Sequence, residues 1–123
     1  MCSILAILGI QNGDPALRSH ALELSKLQRH RGPDWSGIYS DDHAILAHER
    51  LSIVDLLHGA QPLISSDRRY VLAVNGEIYN HLELRKQFPE YSFQTDSDCE
   101  VIIPLLDQFG IDGIKQLNGF FAF

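Results

Sequence analysis

The most restrictive feature of the sequence is residues 3–10, a nearly continuous apolar run that contains β-branched side chains. Such a run predicts a strand that is covered on both of its faces. The chain therefore has to supply further elements that pack against this strand. Its 123 residues are enough for one domain with a modest core.

The next segment predicts a helix. Asp14 and Pro15 are typical of an N-cap and a first helical position. One face of this helix would carry the apolar residues Leu17, Ala21, Leu24 and Leu27.

Strand and helix patterns alternate along the rest of the chain. Strands are predicted at residues 36–39, 44–48, 70–74 and 91–93, and Asn75-Gly76 predicts a turn that ends the third of these. Helices are predicted at residues 80–88, 97–109 and 112–117, with a kink or an early break at Pro104. Residues 119–123 resemble the beginning of a core strand, so we expect a chain that is truncated within its domain.

Composition excludes several classes of protein. The net charge of −6, from 16 acidic and 10 basic residues, supplies no basic patch for nucleic acid. No apolar run is long enough to cross a bilayer, and the start lacks the basic region of a signal peptide. We therefore expect a cytoplasmic protein with no membrane partner, in which Cys2 and Cys99 stay reduced rather than forming the one possible disulfide.

Cys2 is the first candidate for chemistry. If Met1 is removed, Cys2 carries a free α-amine, a group whose reference pKa is about 7.7–8.0. That amine can serve as general base for the thiol of the same residue, so nucleophile and base occupy one position. The alternative is that Cys2 is a small apolar residue at the start of a core strand.

Two further segments carry groups that suit acyl transfer. Arg50 offers a guanidinium that can hold a carboxylate in bidentate geometry, or it pairs with a neighbouring acid on the surface. Asn75 and the Gly76 N–H can donate to a developing oxyanion, or they form a simple turn. Glu77 could accept from a substrate ammonium or amide.

The segment around Asp98 is ambiguous. Its carboxylate could pair with a substrate ammonium, but acidic and hydroxyl residues also stabilise the start of a helix. The six histidines and two cysteines have no metal-ligand spacing, so we expect no bound metal.

Six motifs taken together resemble a known family, although no single motif is enough to indicate it. They are Met-Cys-Ser-Ile at the start, RHRGPDWSG from Arg29, LAHERLSIVD from Leu46, GAQPL from Gly59, VNGEIYNH from Val74 and SDCE from Ser97. Over the whole chain they resemble the class II glutamine amidotransferases, which are N-terminal-nucleophile hydrolases, and in particular glutamine-hydrolysing asparagine synthetases of the bacterial B type.

The resemblance implies a fold and a set of roles. The fold is α+β, a four-layer αββα sandwich, here C-terminally truncated, so that residues 1–123 are part of the amidotransferase domain. The catalytic residues are Cys2 as nucleophile with Asn75 and Gly76 as oxyanion hole. The glutamine-binding residues are Arg50, Leu51, Ser52, Ile53, Val54, Asn75, Gly76, Glu77 and Asp98.

The resemblance also implies partners. L-Glutamine is the substrate, and its ammonia passes to a synthetase domain that makes asparagine from aspartate. ATP and Mg²⁺ belong to that synthetase domain, so this chain needs no cofactor of its own, and a homodimer is possible. Three alternatives remain: an amidotransferase for amino-sugar or purine synthesis, a catalytically silent glutamine-binding fragment, and a purely structural sandwich.

Overall fold

Three antiparallel strands form the first sheet in the computed structural model, which describes residues 2–11, 13–52 and 59–123. They are β1 (Ser3–Leu8), β2 (Trp35–Ser40) and β3 (Ala44–Arg50), with β3 in the centre. Ser3 and Ser36 both lie opposite Glu49, while Ile4 and Gly37 both lie opposite His48. Because side chains alternate along a strand, these two rows lie on opposite faces of the sheet.

Helix α1 (Pro15–Lys26) covers one face of this sheet. The Asp14 side chain accepts the Ala16 N–H at 2.8 Å, which confirms the predicted N-cap. Ala21 and Ser25 are the buried residues of the helix. Leu27, predicted on the apolar face, is 73% exposed because the helix ends before it.

The second half of the chain has two small antiparallel pairs and short helices. Strand β4 (Leu63–Ile64) pairs with β5 (Val71–Leu72), and β6 (Asn75–Ile78) pairs with β7 (Gly119–Ala122). The helices are α2 (His81–Arg85), a 3-10 helix (Asp98–Val101), α3 (Ile102–Phe109) and a second 3-10 helix (Gly110–Gln116). Helices and antiparallel strands together confirm the α+β prediction.

The main apolar core lies in this second half. Its buried members come from β4 to β6, α2, the first 3-10 helix and α3, and include Leu72, Val74, Ile78, Leu84, Phe88, Cys99, Val101, Ile102 and Leu105. The loop before Asp98 is anchored to this core by the buried Glu100 carboxylate, which accepts the Gln94 and Thr95 N–H groups at 2.7 and 2.8 Å. Arg85 of α2 donates to the Thr95 and Ser97 carbonyls, so the loop is held from two sides.

Several predictions about strands were wrong. Asn75-Gly76 is not a turn but the start of β6, because these two residues pair with Ala122 and Phe121 of β7, much later in the chain. No strand forms at residues 91–93, where Tyr91 and Phe93 instead stack edge-to-face at 4.7 Å. Strand β1 is not covered on both faces in the described part of the chain, since Ala6 and Leu8, which lie on the same face, are both exposed, Leu8 by 72%.

The helix predictions need smaller corrections. The predicted helix 97–109 divides at residues 101–102, before Pro104, into a 3-10 and an α segment. Pro104 is the third residue of α3, a position where the missing N–H has no partner to lose within an α-helix. The helix predicted at 112–117 is a 3-10 helix, and the predicted strand at the end of the chain is confirmed as β7.

Candidate active site

Cys2 lies against the end of β3. The Leu51 N–H donates to Cys2 Sγ at 3.3 Å, and the Leu51 carbonyl lies 3.6 Å from the same sulfur. The Arg31 Nε–H donates to the Cys2 carbonyl at 3.3 Å. Side chain and backbone of Cys2 are therefore both held, although the thiol is only half-buried. Both Cys2 and Cys99 are free thiols in the structure.

A cavity of about 200 Å³ opens beside the Cys2 thiol. Six of the predicted site residues line it, namely Cys2, Arg50, Leu51, Gly76, Glu77 and Asp98. They come from four separate parts of the chain: the start, the end of β3, strand β6 and the first 3-10 helix. A cavity of this kind, apolar with a few convergent polar groups, is typical of a small-molecule site.

Arg50 is the positive charge of this cavity. It ends β3, and strand alternation places its side chain on the face opposite Glu49, away from α1. Only 6% of Arg50 is exposed. A guanidinium that is buried and borders an open cavity is well suited to bind a ligand carboxylate.

Strand β6 contributes to the same cavity. Gly76 lines the cavity, and a Cβ added to it would lie 2.4 Å from the Phe120 carbonyl oxygen, so only glycine fits this close pairing with β7. Asn75 is half-buried beside it, and its buried Oδ1 has no hydrogen-bond partner among the described residues.

Asp98 is a buried acidic residue that also lines the cavity. It is 8% exposed, and its Oδ2 accepts the Ile78 N–H at 2.6 Å, which ties the 3-10 helix to β6. The Ser97 side chain caps this helix through the Cys99 N–H. Both interpretations of the segment therefore have support, because Ser97 caps the helix while Asp98 lines the cavity.

Other predicted residues lie outside this group. Ser52 donates its N–H to Asp34 Oδ2 at 2.8 Å and does not line the cavity. Ile53 and Val54 lie outside the residues that the structure describes, as does Met1.

Three buried residues at the site, Gln61, His48 and Cys99, received no role from the sequence. Gln61 and Cys99 line the cavity, and His48 lies behind β6 with no exposed surface. Burial lowers the pKa of His48, so this residue is held neutral. Burial, and then the charge of Asp98, raises the pKa of Cys99, so its thiol is held protonated. For His48, the sequence signal was a polar residue within an apolar strand pattern. Such a pattern predicts a buried hydrogen bond but does not identify the partner.

Comparison with known proteins decides the family. The model of the glutamine amidotransferase domain matches residues 1–123. The chain belongs to this family. The match confirms the predicted resemblance to glutamine amidotransferases.

Several curated proteins are similar to this chain over its whole length. Asparagine synthetase B [glutamine-hydrolyzing] of Escherichia coli is 58% identical over 124 residues, which cover all of this chain and 22% of that protein. Glutamine-hydrolysing asparagine synthetases of Arabidopsis thaliana and Oryza sativa are 50% and 51% identical over 123 residues, again the whole chain and 21% of each relative. The chain thus spans about a fifth of the length of these relatives.

Two further observations concern other classes of site in the described residues. No helix there is long and apolar enough to cross a membrane. No group of three or more histidine, cysteine, aspartate or glutamate side chains is arranged there to hold a metal ion.

Proposed function

We propose that the chain hydrolyses the side-chain amide of L-glutamine, with Cys2 as nucleophile. The observation that carries this proposal is the position of the Cys2 thiol, held by the Leu51 N–H at 3.3 Å and bordering a cavity that Arg50 and Asp98 also line. An amino-acid substrate carries a carboxylate and an ammonium. Arg50 binds the first, and Asp98 with Glu77 binds the second, which directs the side-chain amide toward Cys2.

The reaction proceeds by acyl transfer. The Cys2 thiol attacks the amide carbonyl, and the Asn75 side-chain NH₂ and the Gly76 N–H stabilise the oxyanion. Removal of Met1 supplies the α-amine, which takes the thiol proton and gives it to the leaving nitrogen, so that ammonia departs and a thioester remains. Water then attacks the thioester, releases glutamate and restores the thiol. Leu51, Ser52, Ile53 and Val54 complete the glutamine pocket.

The names of the relatives suggest where the ammonia goes. We propose that it passes to a synthetase domain that converts aspartate to asparagine with ATP and Mg²⁺, in the cytoplasm. Residues 1–123 then form part of an amidotransferase domain whose complete form is a four-layer αββα sandwich, in a protein that can dimerise.

The test of this function uses the complete protein that carries the chain. Mass spectrometry of the purified protein is expected to show that Met1 has been removed, because the mechanism needs the Cys2 α-amine. The Cys2→Ala variant is expected to lose glutamine-dependent ammonia release and asparagine synthesis. The same variant should keep synthesis from added ammonium, which serves as the internal control for folding.

Two outcomes would contradict the proposal. Retention of Met1 in active protein would remove the general base. Loss of ammonium-dependent synthesis along with the glutamine-dependent reaction would contradict the separation between a glutaminase site and a synthetase site.

A further inference from the structure

Among the residues that the structure describes, no strand occupies one edge of β6. On its other edge it pairs with β7, where Asn75 lies opposite Ala122 and Glu77 opposite Phe120. The Tyr79 N–H donates to the Asn118 carbonyl at 2.7 Å and continues the same alternation. Since alternate residues of an antiparallel strand bond to opposite sides, Val74, Gly76 and Ile78 direct their backbone groups away from β7.

Side chains fill this second edge in place of a strand. The Val74 N–H donates to Gln61 Oε1 at 2.6 Å, and the Val74 carbonyl accepts from His48 Nε2 at 2.9 Å. The Gly76 carbonyl accepts from Cys99 Sγ at 3.8 Å. The Ile78 N–H donates to Asp98 Oδ2, as described above. A carbonyl only accepts, so His48 must carry its proton on Nε2 and Cys99 must be a thiol.

One backbone donor of this edge, within the described residues, has no such side-chain acceptor. It is the Gly76 N–H, and Gly76 borders the cavity that also contains Cys2. The peptide that bears this N–H lies between two peptides whose carbonyls are fixed, the first by His48 at Val74 and the second by Cys99 at Gly76. The direction of the open N–H is therefore held by these two side chains together with the pairing of Asn75 with Ala122 of β7.

We propose that His48 and Cys99 are positioning residues for the oxyanion hole, and that Gln61 assists them through Val74. This inference rests on the proposed function, because an oxyanion forms only if Cys2 attacks a carbonyl. His48 has no exposed surface and does not line the cavity, so it cannot touch substrate. It acts through the Val74 carbonyl.

The first test compares two His48 variants of similar size in the complete protein. His48→Met removes the donor, and glutaminase kcat is expected to fall by roughly tenfold to a hundredfold, below the full loss of an oxyanion donor. KM for glutamine should stay within about twofold, because an interaction made only in the transition state is lost. His48→Gln keeps an N–H near the position of Nε2 and is expected to restore most of kcat.

A second measurement separates the oxyanion hole from the nucleophile. Iodoacetamide alkylates a thiol by displacement at carbon, a reaction that forms no oxyanion. The rate at which it modifies Cys2 should therefore be the same in wild type and in His48→Met.

A second pair of variants, at Cys99, tests the contact with the Gly76 carbonyl. Cys99→Ala removes the donor to Gly76 and is expected to lower kcat, while Cys99→Ser keeps a donor and should recover part of the loss. Val101→Ala is the matched control for lost core volume, because Val101 is fully buried in the same core but does not line the cavity. It should lower stability and leave kcat unchanged.

Each outcome decides a separate point. Wild-type protein without glutaminase activity would overturn the proposed function and this inference with it. If wild type is active, any one of three results would overturn this inference alone. The first is a loss of kcat in His48→Gln as large as that in His48→Met. The others are a rise in KM together with the fall in kcat, and a parallel slowing of Cys2 alkylation. Equal kcat in Cys99→Ala and Val101→Ala would remove Cys99 from the assignment.

Discussion

Two consecutive residues at the end of β3 perform different tasks at the site. The Arg50 side chain lines the cavity, while the backbone of the next residue, Leu51, holds the Cys2 sulfur. The distance between the proposed nucleophile and the proposed carboxylate-binding group thus depends on a single peptide unit. A shift of the β3 end would move both together.

Arg50→Ala is expected to raise KM for glutamine far more than it changes kcat. Removing one partner of a buried charged contact costs about 2–5 kcal/mol. Steady-state glutaminase kinetics measure the effect. Arg50→Lys should fall between wild type and Arg50→Ala, because it keeps the charge but not the bidentate geometry. Arg18→Ala, an exposed change on α1 away from the cavity, should leave KM unaltered, and a comparable rise there would argue against a specific role for Arg50.

Residue type alone predicts only part of this site. Cys2, Arg50 and Asp98 could be named in advance because a thiol, a guanidinium and a carboxylate each suit one part of an amino-acid amide. His48 and Gln61 could not, since their partner is the backbone of Val74, 26 and 13 residues further along the chain. A contact with a distant peptide group cannot be predicted from the spacing of residues that are close in sequence.

At the scale of elements, α1 is joined to the sheet by a buried polar cluster. The Glu49 carboxylate, 2% exposed, accepts the Ser25 hydroxyl of α1 at 2.7 Å and the Ser36 hydroxyl of β2. Arg29 approaches the same carboxylate at 3.8 Å. One carboxylate thus connects a helix with two strands, directly before Arg50 in the chain.

Ser25→Ala is expected to lower the free energy of unfolding by about 1–3 kcal/mol, because it leaves a buried carboxylate oxygen without its donor. Chemical denaturation measures this loss. Ser19→Ala is the matched control, since Ser19 lies on the exposed side of the same helix and bonds only to the Pro15 carbonyl. An equal loss of unfolding free energy in Ser25→Ala and Ser19→Ala would show that the contact between Ser25 and Glu49 does not stabilise the fold.

The pattern of apolar residues found this helix but not its whole buried face. Ala21 is fully buried as expected, yet Ser25 is buried too and Leu27 is not. A serine is scored as polar in a sequence pattern. The pattern therefore cannot distinguish a helix face that buries a polar cluster from a helix face that is exposed to solvent. Strand β6 shows the same limit, because its partner β7 comes from the end of the chain.

For the whole molecule, the buried neutral His48 predicts a dependence of stability on pH. Its pKa is lowered in the folded state from the ordinary value of 6.5, so below about pH 6.5 the unfolded chain binds more protons than the folded one. The free energy of unfolding should therefore be unaffected by His48 above that pH and should decline as pH falls through the range between the two pKa values.

Denaturation at a series of pH values from 7.5 to 5 checks this expectation, using roughly half-unit steps around the reference histidine pKa. His48→Gln, which cannot gain a proton, should give a flatter profile than wild type in the same range. Parallel profiles for wild type and His48→Gln would mean that His48 does not contribute to the pH dependence of stability.

The filled edge of β6 has a consequence for how copies of this molecule behave in solution. An open strand edge is a template on which a second chain can add its own strand, and such additions lead to aggregation. Side chains of Gln61, His48, Cys99 and Asp98 already occupy this edge, from positions that a foreign strand could not reach without displacing them. The side chains that we propose to position the Gly76 N–H therefore also keep the strand that bears it from pairing with neighbouring molecules.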